Sequence, residues 1–550
     1  MASVIEQCQV APPPSGAAEV TLPLTYFDLV WLGFHRIRRI LFYKLPISKP
    51  DFVQNIIPPL KNSLSFTLKH YTPLAGNVAR PLDTNGYPEL RYVTGDFMDG
   101  NEADAGRSGF KAMWGGGSTV YGGSYSTSSP FPNPISFKTL FLLLKIHLSL
   151  TLKHYTPLAG NVARPLDTNG YPELRYVTGD SISVIFSESD MDFNYLIGDH
   201  LRNAKDFYHF VPKLGEPKDA PRVQLAPVLA IQVTLFPNLG VSIGFTNHHV
   251  VGDGATIVGF IRAWALLHKF GGDEQFLSNE LIPFYDRSVV KDPYGQGMFI
   301  WEEMKKKNLD MRDIMTPPPE HKVRGTFTIR RDDIEKLKNL ILKSRRQGSS
   351  TTLTHVTSFT VTCAYVWTCL IKSKDAIGEE MIIDDSVIME SFGCAGDFRA
   401  RFNPPLPQSY FGNCIVGCVT RSIRHVDLVG KGGFEIAVEL IGEVIQKQMK
   451  DEEWVLNGNW LKVIDDIDLN RFLSIAGSPK HDLYAADFGW GKAAKLEFIS
   501  LDNEDGGISM SLSKSKDFDG DLEIGLSLSK TQMNAFAAIF THGLSFLYQV

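Results

Sequence analysis

The chain has 550 residues, of which 43% are hydrophobic, 21% are charged and 11% are aromatic. This composition is typical of a globular protein and excludes a disordered, collagen-like or fibrous chain. The formal net charge is −6 without a long basic run, which argues against binding to nucleic acids or anionic membranes.

The sequence carries no sign of a membrane span, a secretory signal or a metal site. Its longest apolar stretch, residues 140–144, is followed by Lys145 and falls far short of the roughly 20 residues that cross a bilayer. The N-terminal residues lack the basic region and apolar core of a secretory signal. The 6 cysteines are scattered, without the paired spacing of a zinc or redox site. We therefore expect a cytoplasmic protein that binds no metal.

One segment of the sequence occurs twice. Residues 64–96 recur at 148–180, 84 positions later, with the single change of Phe66 to Leu150. A solenoid needs three or more repeats to bury a continuous core, so two nearly identical copies indicate an internal duplication instead. One of the two copies is then expected to lie outside the native core.

The two copies differ in what surrounds them. Weaker similarity extends the duplicated segment to 50–96 and 134–180, and a Gly- and Ser-rich stretch of about 97–133 lies between the copies. Such a composition is typical of a flexible linker. We expect the second copy to occupy the native sheet, because the strand-like residues 181–186 follow it directly and short connections dominate compact domains.

Downstream of the repeat, strand-like and helix-like stretches alternate, which indicates a mixed α/β chain. Residues 226–236 and 241–250 have the pattern of two apolar strands joined by a tight turn. Residues 255–270 have helical spacing and are followed by Gly271 and Gly272, as helix C-termini often are. The first half of the chain is therefore expected to end in a strand, a turn and a helix.

The Pro-containing, irregular stretch that follows marks a domain boundary. We expect an N-terminal domain over 1–275, a crossover linker over 276–322 and a C-terminal domain over 323–550. The C-terminal part contains an apolar helix and a succession of strands closed by a final helix, so it is expected to form its own core.

The turn between the second apolar strand and the next helix carries the candidate catalytic residues. Alternation along the strand directs His249 to the apolar face and His248 to the opposite face. Asp253 stands four residues later at the start of the helix, where the N-terminus favours a carboxylate. A histidine directed into a lined cavity has the properties of a general base.

Two other interpretations of this motif stay open on the residues alone. In the first, His249 is a core histidine and Asp253 is a helix cap, since a His-x-x-x-Asp spacing often arises by chance. In the second, the histidines bind a metal, but alternation separates them and no third ligand has the usual spacing. The motif by itself does not distinguish an enzyme from a structural element.

Three short motifs occur in order along the chain: HHVVGDG at 248–254, YFGNC at 410–414 and DFGWG at 487–491. The chain also contains TLPLTYFDLVWL near its N-terminus, KHYTPLAGNV in both repeat copies and RARFNPPLPQSYFGNC. Together these motifs resemble the plant BAHD acyltransferases, specifically the clade that acylates glycosylated flavonoids, anthocyanins and related phenolics. The resemblance covers nearly the whole chain apart from the linker and one repeat copy.

The resemblance implies a fold of two similar α/β domains, like chloramphenicol acetyltransferase, with mixed sheets and a channel between the domains. It implies that His249 is the catalytic base and that Asp253 fixes the motif loop by pairing with an arginine. The remaining matches belong to DFGWG, a motif that in the family shapes the channel away from the reacting atoms: Asp487, Gly489, Trp490 and Gly491.

Binding roles are indicated less sharply. Arg399 and Arg401 are candidates to bind an anionic acyl group or the phosphates of coenzyme A, or to pair with carboxylates, Asp253 among them. Tyr410 and Asn413 of YFGNC are further candidates for binding substrate or coenzyme A. The sequence does not name the donor that stabilises the oxyanion, and Asn413 and the tryptophan of DFGWG are candidates by association.

The resemblance implies an acyl-CoA-dependent O-acyltransferase that moves a malonyl group to a sugar hydroxyl of a phenolic, flavonoid or anthocyanin glucoside. Transfer takes place in a ternary complex without an acyl-enzyme. The same resemblance implies a monomer that needs no cofactor besides acyl-CoA as cosubstrate and has no nucleic-acid or membrane partner.

Two alternatives to a malonyltransferase stay open. Within the family, the donor is a hydroxycinnamoyl-CoA, either coumaroyl-CoA or caffeoyl-CoA. In another class, the chain is an inactive or misfolded product of the duplication, because an extra helix and strand invite aggregation.

Overall fold

The computed structural model describes most of the chain and divides it into two compact units. The larger unit comprises Met1–Ser48 and Phe137–Val550, and the smaller unit comprises Lys49–Ser136. The described residues are 2–14, 19–34, 36–45, 77–79, 89–91, 137–166, 170–307, 309–315, 320–346, 356–378, 388–462, 467–502 and 507–548.

Strands and helices are mixed along the described residues, which confirms the predicted α/β class. The strands are β1 (Ala2–Val10), β2 (Val20–Pro23), β3 (Ile37–Lys44), β4 (Asn77–Ala79), β5 (Glu89–Arg91), β6 (Asn161–Pro165), β7 (Glu173–Tyr176), β8 (Ile182–Ser189), β9 (Arg202–Asn203), β10 (Lys218–Ala220), β11 (Val223–Pro227), β12 (Leu229–Phe236), β13 (Gly240–Asn247), β14 (Lys322–Ile329), β15 (Met389–Asp397), β16 (Ile415–Val419), β17 (Ile423–Arg424), β18 (Phe472–Ala476), β19 (Lys495–Phe498), β20 (Ile508–Lys514) and β21 (Leu522–Ser529). The helices are α1 (Tyr26–Leu29), α2 (Phe137–His154), α3 (Phe193–Ile197), α4 (Gly254–Lys269), α5 (Gln296–Lys306), α6 (Arg331–Arg346), α7 (Ser358–Ala376), α8 (His425–Val429), α9 (Gly433–Gln448), α10 (Glu452–Leu456), α11 (Asn459–Lys462) and α12 (Lys530–Phe546).

The first mixed sheet has 6 strands in the order β1-β8-β12-β13-β3-β19. β8 and β12 run parallel, whereas β12, β13 and β3 follow each other antiparallel. Trp264 of α4 packs on one face of this sheet against Phe245, and an aromatic cluster around Phe42 covers the other face. β12 and β13 are buried along their whole length because both faces are covered.

The second repeat copy contributes to a 5-stranded sheet in the order β10-β11-β6-β7-β2. This copy supplies β6 and β7 together with α2, which packs beside α4. The indole N–H of Trp264 in α4 donates to the backbone oxygen of Leu144 in α2 at 3.2 Å. The second copy therefore lies in the core of the larger unit, as the short connection to β8 led us to expect.

The described part of the smaller unit consists of β4 and β5, which pair antiparallel with Asn77 opposite Arg91. β6 and β7 pair in the same register, with Asn161 opposite Arg175. Each repeat copy thus forms the same strand pairing within its own unit. The origin of the repeat in a duplication stays a prediction.

The third sheet has 8 strands in the order β16-β15-β18-β20-β21-β14-β9, with β17 paired to β15. Helices α6, α7, α9 and α12 pack on it, and their buried side chains form one hydrophobic core with the strands. Trp367 of α7 and Phe536 of α12 are both fully buried in this core. The core is drawn almost wholly from residues after 322, where a separate core was expected.

Each half of the chain contributes one strand to the sheet of the other half. β19 pairs with β3 at the edge of the 6-stranded sheet, and β9 pairs with β14 at the edge of the 8-stranded sheet. Glu497 of β19 lies buried between Arg202 of β9 and Arg324 of β14, with N···O distances of 2.5 and 3.0 Å. This exchange corrects the expectation that the strand-like stretch around β19 belongs to the C-terminal sheet.

Two further elements differ from the sequence-based expectation. The irregular stretch expected over 276–320 contains α5, whose Trp301 is buried and donates its indole N–H to the backbone oxygen of Gly170 at 2.9 Å. The strand expected over 241–250 ends at Asn247, because the next residues form a 3₁₀ turn. The exact boundaries of the domains stay a prediction.

Candidate active site

The turn that follows β13 positions His249. The strand ends at Asn247, and His249–Val251 form a 3₁₀ turn before α4 begins. His248 caps this turn, since its Nδ1 accepts the backbone N–H of Val250 at 3.3 Å and its side chain is fully buried. The turn, rather than alternation along the strand, therefore directs the side chain of His249.

The imidazole of His249 packs against aromatic side chains and stays partly exposed. The indole of Trp31 stacks on it, with ring centroids 3.9 Å apart and planes inclined by 13°. Phe34 meets the imidazole edge-on at a centroid distance of 6.1 Å. Trp31 and Phe34 lie in the turn after α1, so the N-terminal segment fixes one face of the ring while part of it remains accessible.

The imidazole of His249 is neutral near pH 7. Burial lowers its pKa to about 4; Asp253 and the side chain of Asn413 oppose this decrease, and the charge of Arg39 adds to it. Its Nδ1 is buried and has no hydrogen-bond partner among the described residues. A neutral imidazole can accept a proton, which a general base requires.

Asp253 forms its hydrogen bonds with structural partners. Its two carboxylate oxygens accept one N–H from each terminal nitrogen of Arg399, at 2.8 and 3.0 Å. They also accept the backbone N–H of Ala255 at 3.0 Å and that of Cys414 at 3.0 Å. Asp253 therefore caps α4 and ties the helix to the YFGNC segment.

The Asp253–Arg399 pair is buried, with side-chain exposures of 2% and 1%. Burial would raise the pKa of Asp253, but the charge and hydrogen bonds of Arg399 hold that pKa below its ordinary value. Burial likewise works against the charged form of Arg399, and Asp253 nevertheless raises the pKa of the guanidinium. Both groups are therefore charged, and each compensates the other.

Asp28 of α1 connects the N-terminal segment to the YFGNC motif. One of its oxygens accepts the backbone N–H of Asn413 at 2.8 Å and the side-chain N–H of Asn413 at 3.0 Å. The other oxygen accepts from Arg287 at 2.6 Å and from the backbone N–H of Thr25 at 2.9 Å. Asn413 also donates to the backbone oxygen of His249 at 3.0 Å. A buried carboxylate thus holds the main chain of His249 through one amide.

The DFGWG motif forms a tight turn before β19. Asp487 accepts the backbone N–H groups of Gly489 and Gly491, each at 2.8 Å, and binds Lys269 of α4 at 2.8 Å. Gly489 and Gly491 have φ values of +90° and +85°, in a region that favours glycine. The aspartate and the glycines therefore act together to close the turn.

The aromatic residues of the motif pack onto the 6-stranded sheet. Trp490 stacks on Phe488 with ring centroids 5.1 Å apart and meets Tyr43 of β3 edge-on at 5.4 Å. The motif lies at the C-terminal end of α4, a helix of 16 residues that is about 24 Å long. Asp253 caps the opposite end of that helix. This separation supports a structural role for DFGWG, as the resemblance implies.

Most polar side-chain atoms of Arg399, Tyr410 and Asn413 are bound by protein groups, but the Nε of Arg399 and the Oδ1 of Asn413 have no hydrogen-bond partner among the described residues. Arg399 holds Asp253, the hydroxyl of Tyr410 accepts from Arg287 at 3.2 Å, and none of the three candidates is more than 1% exposed. Their burial and these bonds indicate a structural role, and contact of these three residues with substrate or coenzyme A stays a prediction. Each of them organises the site from within.

The two other proposed roles concern binding by Arg401 and stabilisation of the oxyanion. Arg401 is exposed, so binding of an anionic part of coenzyme A stays a prediction for it. Both side-chain N–H groups of Asn413 are used by Asp28 and by backbone oxygens, which leaves none for an oxyanion. Trp490 packs near the C-terminal end of α4, whereas Asp253 caps its N-terminal end. This position does not favour Trp490 as the donor to an oxyanion.

Sequence reasoning assigned no role to Asp28 or Trp31, although both lie in the segment TYFDLVWL. A signal for Asp28 was available, because Thr25 and Asp28 have the spacing of a capping box. A carboxylate inside an apolar segment is a second signal, since buried charges need partners. No pattern in the sequence pairs Trp31 with a histidine more than 200 positions away.

The described ranges contain neither a membrane-spanning helix nor a cluster of metal ligands. No helix in them is both long and apolar enough to cross a membrane. Within the same ranges, no three His, Cys, Asp or Glu side chains converge as metal ligands would. His248 and His249 adjoin in sequence, but His248 is buried in the cap of the turn.

Comparisons with known proteins match most or all of the chain. A model described as "Transferase family" matches residues 4–90 and 128–542, so the unmatched stretch falls largely within the Gly- and Ser-rich segment. The chain is 63% identical over 549 residues to phenolic glucoside malonyltransferase 1 of Nicotiana tabacum, covering 100% of both proteins. It is 35% identical over 544 residues to malonyl-coenzyme:anthocyanin 5-O-glucoside-6'''-O-malonyltransferase of Salvia splendens, covering 98% of this chain and 94% of that protein.

The fold is also found among solved structures. The crystal structure of vinorine synthase is similar with a TM-score of 0.57 and 15% sequence identity, and the similarity covers 97% of this chain and 96% of that chain. At this identity the likeness concerns the fold alone.

Proposed function

The chain belongs to the Transferase family of BAHD acyltransferases, and we propose that it moves a malonyl group from malonyl-CoA to a sugar hydroxyl of a phenolic, flavonoid or anthocyanin glucoside. The observation that carries this proposal is the 63% sequence identity, over the full length of both proteins, to a phenolic glucoside malonyltransferase. The Salvia splendens relative, named for a malonyl-coenzyme donor and an anthocyanin glucoside, supports the same reaction class.

His249 acts as the general base in this proposal. Its imidazole removes the proton from the acceptor hydroxyl while the hydroxyl oxygen attacks the thioester carbonyl carbon. The new C–O bond forms, the C–S bond then breaks, and coenzyme A leaves as a thiolate that takes up the proton from the imidazolium. The base starts and ends neutral, and the ternary complex makes an acyl-enzyme unnecessary.

The environment of His249 supports this role. The lowered pKa keeps the ring in its proton-accepting form, and stacking on Trp31 fixes its plane. A bound anionic donor opposes the effect of burial and raises the pKa of the ring, so the base becomes stronger when the donor is present. Asp253 takes no part in proton transfer and holds the turn through Arg399.

Further properties follow the resemblance and are part of the proposal. The enzyme acts as a cytoplasmic monomer that binds acyl-CoA and a phenolic glycoside, without a metal or prosthetic group. Size-exclusion chromatography with light scattering tests the monomer, and activity after exhaustive treatment with a chelator tests the independence from metal.

The donor and the base can be tested in one assay. The protein is incubated with malonyl-CoA or coumaroyl-CoA and an anthocyanin glucoside, and the release of free thiol is followed. We expect release with malonyl-CoA and its loss in His249→Ala, while His542→Ala, which changes an exposed histidine of α12, behaves as the unaltered protein. Undiminished turnover by His249→Ala would refute the base assignment.

The same assay decides between the donor classes. Thiol release with coumaroyl-CoA and none with malonyl-CoA would replace the malonyltransferase by a hydroxycinnamoyltransferase on the same class of acceptor. No release with either donor, from a protein that shows a cooperative thermal transition, would favour a catalytically inactive chain.

A further inference from the structure

Arg39 of β3 is a buried arginine without a carboxylate partner in the part of the chain that the structure describes. Its side chain is 7% exposed, and its Nε is buried without a hydrogen-bond partner. Among the described residues, no carboxylate pairs with its guanidinium, and burial alone lowers its pKa to about 10. A guanidinium with such a pKa still carries its charge near pH 7, and the described residues supply no carboxylate to compensate it.

Five other buried arginines among the described residues are paired with carboxylates, whereas the buried Arg36 donates its N–H groups to the backbone oxygens of Phe34 and Met311. The pairs are Arg38 with Asp313, Arg202 with Glu497, Arg287 with Asp28, Arg324 with Asp502 and Arg399 with Asp253. Burying a charge without a partner is costly, and each of these pairs avoids that cost. A guanidinium without a carboxylate partner among the described residues of the same interior indicates a site for a bound anion.

The strand register places Arg39 beside the end of β13. Arg39 lies directly opposite Phe245, and Asn247, two residues before His249, follows on the same face of the sheet. On its other side, Arg39 lies opposite Phe498 of β19. Both cross-strand neighbours are apolar and cannot neutralise the guanidinium.

The charge of Arg39 acts on the residues around the catalytic turn. Burial has the larger effect, and Arg39 further lowers the pKa of both His249 and His481. The ring of His481 packs against Gly254, the first residue of α4. The guanidinium is therefore close to the place where the thioester must lie for His249 to act.

We propose that Arg39 binds the free carboxylate of the malonyl donor and selects an acyl group that carries one. In malonyl-CoA a single methylene group separates that carboxylate from the thioester carbonyl, so its binding group must lie beside the general base. The planar fork of arginine matches the two oxygens of a carboxylate. This inference rests on the proposed function and names the residue that sets its donor class.

The phosphates of coenzyme A are the other anions of the donor. They lie at the far end of the pantetheine arm, whereas Arg39 lies on the strand that pairs with the residues just before His249. The acyl carboxylate is therefore the occupant that the position of Arg39 favours. The two sources differ in acetyl-CoA, which carries the same phosphates and no acyl carboxylate.

A donor comparison with Arg39→Met tests the inference. Malonyl-CoA and acetyl-CoA are supplied with the same acceptor glucoside, and kcat/KM is measured from thiol release. We expect the variant to lose about 100-fold in kcat/KM for malonyl-CoA, because a buried charge pair with the substrate is removed. The value for acetyl-CoA is expected to change little, and Arg39→Lys is expected to recover part of the loss.

Two controls separate recognition from damage to the fold. Lys44→Met removes an exposed cation from the end of the same strand and is expected to leave both donors unaffected. Arg39→Met removes a buried charge that has no carboxylate partner among the described residues, so its thermal midpoint without ligand is expected to be no lower than that of the unaltered protein.

The outcomes that overturn the inference are distinct from those that overturn the proposed function. Equal losses for malonyl-CoA and acetyl-CoA would assign Arg39 to phosphate binding or to the fold and overturn the inference alone. An unchanged preference for malonyl-CoA in Arg39→Met would do the same. Failure of the unaltered protein to use malonyl-CoA would remove the proposed function and this inference with it.

Discussion

Arg399 binds both carboxylate oxygens of Asp253 across 146 positions of sequence, through N–H···O bonds of 2.8 and 3.0 Å. The aspartate of the His-x-x-x-Asp motif is thereby fixed to the second half of the chain, while the histidine four residues earlier packs against Trp31 of the first half. The motif therefore joins the two halves of the chain.

Replacing Asp253 by Asn is expected to destabilise the protein strongly. The substitution keeps the shape of the side chain and leaves the buried guanidinium of Arg399 with only the partly exposed carboxylate of Asp397, at 3.2 Å. We expect the free energy of unfolding to fall by about 3–5 kcal/mol, to be measured by urea titration. Asp310→Asn, in an exposed pair with Arg312, is the matched control and is expected to change little. Equal losses in the free energy of unfolding for the two substitutions would show that burial does not determine how much an ion pair contributes to stability.

The pH dependence of activity follows from the pKa of His249. In the folded protein that pKa is about 4, below the ordinary value of about 6.5, so the free enzyme keeps its base above pH 5. We expect the acid limb of kcat/KM to have its midpoint near pH 4. A midpoint near 6.5 would show that the ring is solvated in the free enzyme.

The same shift links His249 to stability. Because the folded pKa is depressed, protonation favours the unfolded chain, and the contribution of His249 is lost as pH falls from about 6.5 towards 4. His249→Gln, which does not titrate, is expected to show a shallower loss of thermal stability over that range.

Asp28 offers a test of the amide that holds the catalytic turn. Asp28→Asn removes the charge that compensates Arg287 and weakens the bonds to Asn413, so we expect a loss of about 3 kcal/mol in the free energy of unfolding. Adding Arg287→Met removes the uncompensated cation and is expected to recover part of this loss. If the double variant lost more free energy of unfolding than the two single variants lose together, that result would argue against a direct ion pair.

The DFGWG turn is expected to affect stability more than chemistry. Gly491 has a φ of +85°, and an added Cβ would meet no atom within 4 Å, so Gly491→Ala tests backbone strain without a clash. We expect a loss of about 1–2 kcal/mol in the free energy of unfolding, and an unchanged kcat per folded molecule. Gly491→Asn is expected to lose less, because asparagine tolerates this region better. A large fall in kcat at unchanged stability would place the turn in the chemistry.

Deleting residues 65–148 is expected to yield an active, folded enzyme with a single repeat copy. The deletion keeps β6 and β7, which lie in the 5-stranded sheet, and brings Leu60 and Leu64 to the positions of Leu144 and Leu148, which are buried. Thermal melts and thiol release compare this variant with the full chain. Loss of the cooperative transition would show that the extra copy is needed for folding.

Local patterns predicted the elements well where the hydrophobic spacing is regular. The helix expected over 255–270 spans Gly254–Lys269, and its glycine stop lies where the sequence places it. The strand before it was predicted three residues too long, because His248 caps a turn whose valines continue the apolar run. Periodicity reports which residues are buried and does not separate a strand from a 3₁₀ turn.

Long-range pairing explains what the sequence left out. Asp253 and His249 follow from the motif, whereas Asp28 and Arg39 acquire their meaning only from partners hundreds of positions away, or from the lack of one among the described residues. From the sequence, Arg399 could either bind an anionic part of the substrate or pair with a carboxylate of the protein. Only the fold shows that its guanidinium forms an ion pair with Asp253. A charged residue within an apolar segment indicates a position of this kind. The identity of its partner depends on the topology of the fold and cannot be deduced from the local sequence.

The exchange of β9 and β19 has a consequence for biosynthesis. The 6-stranded sheet is incomplete until Lys495–Phe498 emerges from the ribosome, so the edge of β3 stays unpaired while most of the chain is being made. Glu497 then arrives together with β19 and neutralises Arg202 and Arg324, two cations buried by earlier segments. A chain that ends before this point leaves the edge of β3 without its β19 partner, and unpaired strand edges favour aggregation.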